Sequence, residues 1–312
     1  MYKIGIDLGG TNIAAGIVNE EGKILLQGST PTLATRTFEE VIADMGKLVN
    51  DLIAKFGITA ADIESIGIGS PGAVLDGNVI FSNNLHWVNV PLCKELQKYI
   101  NVPVFADNDA NVAALAESTV GACKGYKNSV TVTLGTGIGG GIVINNRLYA
   151  GSHGIGAEIG HMTIVADGIP CTCGAYGCWE RYGSATALIR EGKAGMARDS
   201  QSLIYTLARG DENKVTAKVV IDAAKAGDKT ACEIFDDYVK YIVIGLINIV
   251  NCFDPDVIAI GGGVAAAGDF LLDAVRERFE ANIFYKDVDH AKIVFAEMGN
   301  DAGIVGAAGL TR

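Results

Sequence analysis

The chain has 312 residues, 49% hydrophobic and 20% charged, with 40 glycines and 6 prolines. The length allows two packed cores, and glycine at nearly twice the usual roughly 7% beside so little proline excludes collagen-like and disordered-linker compositions. A net charge of −11 argues against sequence-independent attraction to nucleic acid or an anionic membrane surface, both of which need a positive field, and favours a small-molecule partner.

The opening segment alternates Ile4, Ile6 and Leu8, turns through Gly9-Gly10-Thr11-Asn12, and alternates again through Ile13, Ala15 and Ile17, which predicts a β-hairpin. Helical spacing follows from Phe38 to Phe56 in Val41, Ile42, Met45, Leu48, Val49, Leu52 and Ile53. A strand is expected over Ile63 to Gly69, ending in the turn Ser70-Pro71-Gly72, and another over Val102 to Ala106, leading into an alanine-rich helix from Ala110. A second hairpin is predicted at Val130, Val132 and Leu134, the turn Gly135 to Gly140, then Ile142 and Ile144. The repeated unit of strand, Leu-Gly, turn and strand indicates an internally duplicated α/β fold with two lobes and a boundary near residue 118. After 13 glycines in the 50 residues from Leu134 to Gly183, one apolar helical face runs through Ala231, Ile234, Phe235, Tyr238, Ile242, Leu246 and Ile249. A buried strand, Val257 to Ile260, stops at Gly261-Gly262-Gly263, and a helix is expected from about Ala265 to Phe279.

The longest apolar run, near Tyr241 to Val250, is about half the roughly 20 residues a spanning helix needs, and the N-terminus leads directly into a strand, so a cytoplasmic location is expected. Seven cysteines without a secretion signal argue against a disulfide framework.

Two glycine turns match dinucleotide-type patterns. Gly135 to Gly140 has the G-x-G-x-x-G spacing but precedes a strand instead of a helix; Gly261 to Ala266 has the version ending in alanine and the expected strand before it. The second keeps a dinucleotide-dependent oxidoreductase open as a reading, although nothing else of a nicotinamide site accompanies it. A Walker loop is excluded, because no Gly-Lys pair precedes Ser or Thr. Glycine hairpins let backbone amides converge on phosphate, with the hydroxyls of Thr11 and Thr136 as further donors, and Asp7 is placed to meet Mg²⁺ or its water shell.

Asp107, Asn108 and Asp109 stand where a strand gives way to a helix. An N-cap explains one of the three. The helix start favours negative charge at Asp109, which can accept a proton from a substrate hydroxyl, and Asn108 can both donate to and accept from hydroxyls. Further on, His161, Cys171, Cys173 and Cys178 form H-x9-C-x-C-x4-C, a Cys₃His set that closes a tetrahedral Zn²⁺ site of structural type. Glu158 precedes His161 by three residues and Glu180 follows Cys178 by two, so the zinc would shape a polyol site. Cys93, Cys123, Cys232 and Cys252 are scattered and read as core or surface thiols.

The segments DLGGTNIAAGIV, GSPGAV, NLHW, DNDANVAALAE, TLGTGIGGGIV, GIGAEIGHM, CTCGAYGCWE, DPDVIAIGGGV and MGNDAGIVGAA together resemble the ROK family of sugar kinases, and the likeness runs over essentially the whole chain. It implies the duplicated, ribonuclease H-like α/β fold of the actin-like ATPases, two lobes about a central cleft. The smaller lobe would hold residues 1–117 plus about 299–312, the larger 118–298. It also implies transfer of the ATP γ-phosphate to the 6-hydroxyl of a hexose, glucose first, with N-acetylmannosamine, fructose and allose as alternatives. Asp109 matches the family's general base. Asn108, Glu158, His161 and Glu180 match its sugar ligands, and Gly72 its pocket wall. Asp7, Gly9, Gly10 and Thr11 match the first phosphate motif, Gly135, Thr136 and Gly137 the second, Gly261, Gly262 and Gly263 the nucleotide-side turn, and the Cys₃His set the zinc ligands. Asp107 departs from the Glu usual in the glucokinase-like members. The likeness implies ATP, Mg²⁺ and structural Zn²⁺ as cofactors, a homodimer or homotetramer, and neither nucleic acid nor membrane as partner. A sugar-sensing ROK transcriptional regulator is the alternative of another class, disfavoured because the phosphate hairpin begins at residue 4, which leaves no room for a DNA-reading segment.

Overall fold

The computed structural model describes residues 1–310. Its first sheet contains β1 (Tyr2–Leu8), β2 (Asn12–Val18), β3 (Ile24–Pro31) and β4 (Ile63–Ser70). A small antiparallel sheet of β5 (Ala73–Leu75), β6 (Asn78–Ser82) and β7 (Trp87–Val90) then intervenes before β8 (Val104–Asn108) returns to the first. The first sheet has the order β3-β2-β1-β4-β8, antiparallel at β1/β2 and β2/β3 and parallel at β1/β4 and β4/β8. The predicted hairpin is present in the register Ile4↔Ile17, Ile6↔Ala15 and Leu8↔Ile13, and all six of these side chains are fully buried.

Helix α1 (Phe38–Phe56) forms over the residues its periodicity predicts. A capping box between Thr37 and Glu40 opens it, and Gly57, at φ 81°, closes it in the left-handed conformation that glycine adopts without steric cost. Its apolar stripe packs against β2 and β3. After α2 (Leu92–Leu96), α3 (Asp109–Thr119) packs with the later α10 (Ala302–Ala308) and with β4.

The second five-stranded sheet comprises β9 (Ser129–Leu134), β10 (Ile138–Ile144), β11 (Arg147–Leu148), β12 (Val257–Gly261) and β13 (Lys292–Phe295) in the order β11-β10-β9-β12-β13. Substituting β9 for β1, β10 for β2, β11 for β3, β12 for β4 and β13 for β8 reproduces the first sheet's order, so the duplication read from two glycine hairpins is present throughout both sheets. Helices α4 (Glu180–Gly183), α5 (Ala185–Arg198), α6 (Leu203–Leu207), α7 (Ala217–Lys225) and α8 (Lys229–Phe253) fill most of the chain between β11 and β12. The apolar face predicted from Ala231 to Ile249 is the buried face of α8.

The helix expected from about Ala265 begins later. Residues Gly263–Ala267 form a 3₁₀ turn, and Gly268, at φ 67° and ψ −155°, interrupts the chain before α9 (Asp269–Asn282). The backbone at Gly268 is incompatible with a continuing helix, which the alanine run alone did not reveal.

The chain divides into two compact units, one of Met1–Thr131, Gly141–Ala157 and the segment from Ala296 onward, the other of Val132–Gly140 and Glu158–Phe295. No described helix is long and apolar enough to cross a membrane. All seven cysteines are free, with Cys123 buried, Cys93 half-buried, and Cys232 and Cys252 exposed.

Candidate active site

In the first unit, the β1–β2 turn is tied from a distance. Thr32, buried just after β3, donates from Oγ1 to the Gly9 carbonyl at 2.6 Å and from its amide to the Thr11 carbonyl at 2.9 Å, while the Gly9 amide donates to the Asn12 carbonyl across the turn at 2.9 Å. The turn's conformation is thereby fixed in advance of any ligand. Asp7 lies just before it, largely buried, and burial pushes its carboxyl above the ordinary carboxylate range. Gly303 of α10 has no room for a Cβ, which would lie 2.5 Å from the Asp7 carboxyl. A buried acid held this way gains from a nearby cation, which would return it to the ionised form.

The three polar residues at the end of β8 have separate positions. Asn108 is the N-cap of α3, accepting through Oδ1 from the Ala110 amide at 2.9 Å and the Asn111 amide at 3.4 Å. Its side-chain amide donates to the Gly72 carbonyl at 3.0 Å, leaving a second N–H for another acceptor. Gly72 sits at φ 99° with the Phe81 carbonyl where a Cβ would stand. Asp107 turns inward, where its Oδ1 accepts from Asn111 Nδ2 at 2.8 Å and the Asn108 amide at 2.7 Å. Burial raises its pKa, against those two hydrogen bonds. Asp109 is the first residue of α3 and is exposed, at the positive end of the helix and with the Ala110 amide 2.9 Å from its Oδ1. Of the three, Asp109 alone is exposed.

In the second unit, the Gly135-Thr136-Gly137 turn is pinned to the start of α5. The Ala185 amide donates to the Gly135 carbonyl at 2.8 Å and Thr186 Oγ1 to the Thr136 carbonyl at 2.6 Å. Glu180, at the start of α4, accepts from the Ile138 amide at 3.2 Å, and its carboxylate occupies the space a Cβ on Gly137 would need. The triple glycine adjoins the same turn: Gly262, at φ 85°, would place a Cβ 2.5 Å from the Leu134 carbonyl oxygen, so only glycine allows this approach.

The Cys₃His set converges, with its four ligand atoms all within 4.8 Å of one another. Cys173 and Cys178 sulfurs are 3.6 Å apart, and Cys171 Sγ is 3.7 Å from His161 Nδ1. Tetrahedral ligands at the ~2.3 Å of a Zn–S bond stand about 3.8 Å apart, so the spacing fits a tetrahedral soft-ligand metal. Burial pushes the Cys178 thiol up to about 12, whereas the Ala175 backbone lowers exposed Cys173. Bridges Thr163↔Cys178 and Pro170↔Tyr176 build the knuckle. His161 ends a 3₁₀ turn that Glu158 precedes, and three residues per turn bring the two onto one face. Glu158 is exposed. Glu180 Oε1 lies 3.8 Å from Cys171 Sγ, so this carboxylate links the metal-type cluster to the glycine turn.

Thr32, Thr186 and Gly303 were not legible as site residues. Each acts through a partner 23 to 296 positions away in sequence, and no local pattern marks it.

Known proteins resemble this chain over nearly its whole length. The ROK family model matches residues 3–312. A glucokinase from Thermotoga maritima is 39% identical, covering 99% of this chain and 96% of that protein, and one from Streptomyces coelicolor is 38% identical, covering 99% and 97%. Among solved structures, a ROK family glucokinase from Streptomyces griseus in complex with glucose and AMPPNP superimposes with a TM-score of 0.82 at 36% identity, covering 100% of this chain and 99% of that one. With its duplicated α/β architecture and these near-full-length likenesses, the chain belongs to the ROK family.

Proposed function

We propose that this chain is an ATP-dependent glucokinase that transfers the γ-phosphoryl group to the 6-hydroxyl of glucose. The observation that carries the reading is the near-full-length likeness to glucokinases, one of them solved with glucose and an ATP analogue. The site chemistry supports it. Phosphoryl transfer asks a protein chiefly for positioning and charge neutralisation. Asp109, exposed at the start of α3, accepts the proton of the attacking hydroxyl while the first-turn amides stabilise its charge. The second N–H of Asn108, the carboxylates of Glu158 and Glu180 and the imidazole of His161 hold sugar hydroxyls, with Gly72 in the wall. His161 turns Nδ1 toward the thiols, so Nε2 is the nitrogen left for the sugar.

Gly9, Gly10 and Thr11 on one hairpin, Gly135, Thr136 and Gly137 on the other, and Gly261 to Gly263 present backbone amides to the nucleotide phosphates. Asp7 would hold Mg²⁺ or its water shell, which neutralises phosphate charge. His161, Cys171, Cys173 and Cys178 would hold Zn²⁺ in a structural role, fixing the ring of His161. A cytoplasmic location and a homodimer or homotetramer complete the reading.

A coupled ADP-release assay across glucose, mannose, N-acetylmannosamine, N-acetylglucosamine, fructose and allose tests it. The highest kcat/KM is expected with glucose, and no ADP release with any of them overturns the kinase. A sequence-specific, salt-dependent gel shift by the chain would favour the regulator instead.

A further inference from the structure

Asp109 stands on a turn that is closed beneath it by two side chains the proposed chemistry does not use. Asp107, in β8, reaches across four positions to Asn111, in the first turn of α3, where Asn111 Nδ2 donates to Asp107 Oδ1 at 2.8 Å. The same oxygen accepts from the Asn108 amide at 2.7 Å. The turn that carries Asp109 is therefore tied at both ends to one carboxylate oxygen. Asn111 suits its position on no other ground. It is 2% exposed, on a helix whose other buried residues include Val112, Ala114 and Ala116. Asparagine favours a helix less than alanine or leucine does, and Asn111 Oδ1 has no hydrogen-bond partner among the described residues. A half-paired amide costs stability when buried, and the bond to Asp107 is what a leucine there would forfeit.

The start of α3 is itself firmly seated within the first unit. A Cβ on Gly141 of β10 would lie 2.7 Å from the Ala110 carbonyl oxygen and 3.1 Å from Asn111 Cα, and one on Gly306 of α10 would fall on the Val112 carbonyl. Backbone packs on backbone there, so the helix is fixed from outside, and the bridge fixes how β8 enters it. We propose that Asp107 and Asn111 are positioning residues for phosphoryl transfer, their bridge holding the turn that aims the Asp109 carboxylate at the attacking hydroxyl. This rests on Asp109 being the base of the kinase proposed above. The Asn108 side chain is held separately, by the Gly72 carbonyl and the amides of Ala110 and Asn111, so sugar contact survives loss of the bridge while the aim of the base does not. Burial works against the ionised form of Asp107, and both of its hydrogen bonds need only an acceptor oxygen, which asparagine also carries.

The test combines steady-state ADP release with equilibrium dialysis of radiolabelled glucose on the full chain, in wild type, Asp107→Ala, Asp107→Asn, Asn111→Leu and the double variant Asp107→Ala with Asn111→Leu. In Asp107→Ala and Asn111→Leu, kcat per glucose site counted by dialysis is expected to fall about tenfold to a hundredfold, with glucose affinity within about threefold of wild type, because a base displaced by about 1 Å loses rate before the sugar loses contacts. The double variant is expected to fall no further than the slower single one, since both remove the same bridge, and Asp107→Asn to keep kcat within about threefold of wild type. Losses that multiply in the double variant, or an Asp107→Asn chain as slow as Asp107→Ala, overturn the proposal. So does a loss of glucose sites with kcat per site unchanged, which is what a merely structural role would give. A wild type that releases no ADP with glucose removes the base and this proposal together, whereas full-rate variants beside an active wild type remove this proposal alone.

Discussion

Asp109 and Asn108 are neighbours with opposite expected phenotypes, and comparing Asp109→Ala with Asn108→Ala tests the assignment of base and cap directly. Asp109 is exposed, and the Ala110 amide near its Oδ1 is also held by Asn108 Oδ1 at 2.9 Å, so that amide keeps a partner when Asp109 is truncated. The stability lost is then chiefly the carboxylate's interaction with the helix start, about 0.3–1 kcal/mol. For a chain of this size that is roughly 1–4 °C in melting temperature. The catalytic loss is far larger: a missing general base costs about 10²–10⁴ in rate, or roughly 3–5 kcal/mol of barrier. Asn108→Ala reverses the balance in stability. It removes an N-cap, about 1 kcal/mol, and the 3.0 Å hydrogen bond to the Gly72 carbonyl, about 0.5–1.5 kcal/mol more, or roughly 3–10 °C in all. Turnover by coupled ADP release, glucose affinity by dialysis and melting by calorimetry separate the two variants. An Asp109→Ala enzyme that keeps more than about a tenth of wild-type turnover, or that melts further below wild type than Asn108→Ala does, refutes the assignment.

The Cys₃His cluster is expected to carry one zinc per chain by elemental analysis and to lose it in Cys178→Ser, with weakened glucose binding; full affinity in metal-free protein would remove zinc from the reading. Glu117, 1% exposed, accepts from the amides of Ala122 at 2.8 Å, Glu297 at 3.2 Å and Met298 at 2.8 Å, joining the end of α3 to the segment that leads into α10. Glu117→Ala leaves three part-buried amides without their carboxylate partner and is expected to cost about 3 kcal/mol, roughly 6–12 °C, so a change below about 2 °C contradicts the role. His290 faces the Val288 carbonyl at 2.9 Å through Nδ1 and the Glu280 carboxylate at 3.0 Å through Nε2, and these partners, Val288 first, raise its pKa. A folded-state pKa above the unfolded value adds stability that is fully present below about pH 6.5 and is lost as pH rises through the raised value. The melting difference between wild type and His290→Gln should therefore shrink from pH 6 toward pH 8.5, and a constant difference across that range tells against the clasp.

Periodicity and glycine placement carried most of the fold. The alternation about Gly9-Gly10 and the stripe from Val41 to Ile53 depend on which face each residue turns to the core, and that is a local property of strand and helix. The cysteine spacing likewise carried the metal-type cluster, because a short knuckle brings its own ligands together. The helix after Gly263 was misplaced because composition shows alanine but not the positive φ at Gly268.

By itself the sequence determined the two hairpins, the helices α1 and α8, the strand before the triple glycine, the duplication, the glycine turns and the candidate base, ligands and metal set, since each is written in neighbours a few positions apart, whereas the β5–β7 sheet and helices α4 to α7 were not read from it. Only the tertiary structure decided which of Asp107, Asn108 and Asp109 caps the helix, which turns inward and which is exposed. It alone showed that Thr32 and Thr186 hold the two phosphate-type turns, that Glu180 joins the thiol cluster to Gly137, and that Gly303 and Gly262 are glycine because Asp7 and Leu134 stand where a Cβ would be. These contacts depend on distances between residues far apart in the chain, and hydrophobic pattern fixes which faces meet without fixing which polar atoms then come within hydrogen-bonding reach.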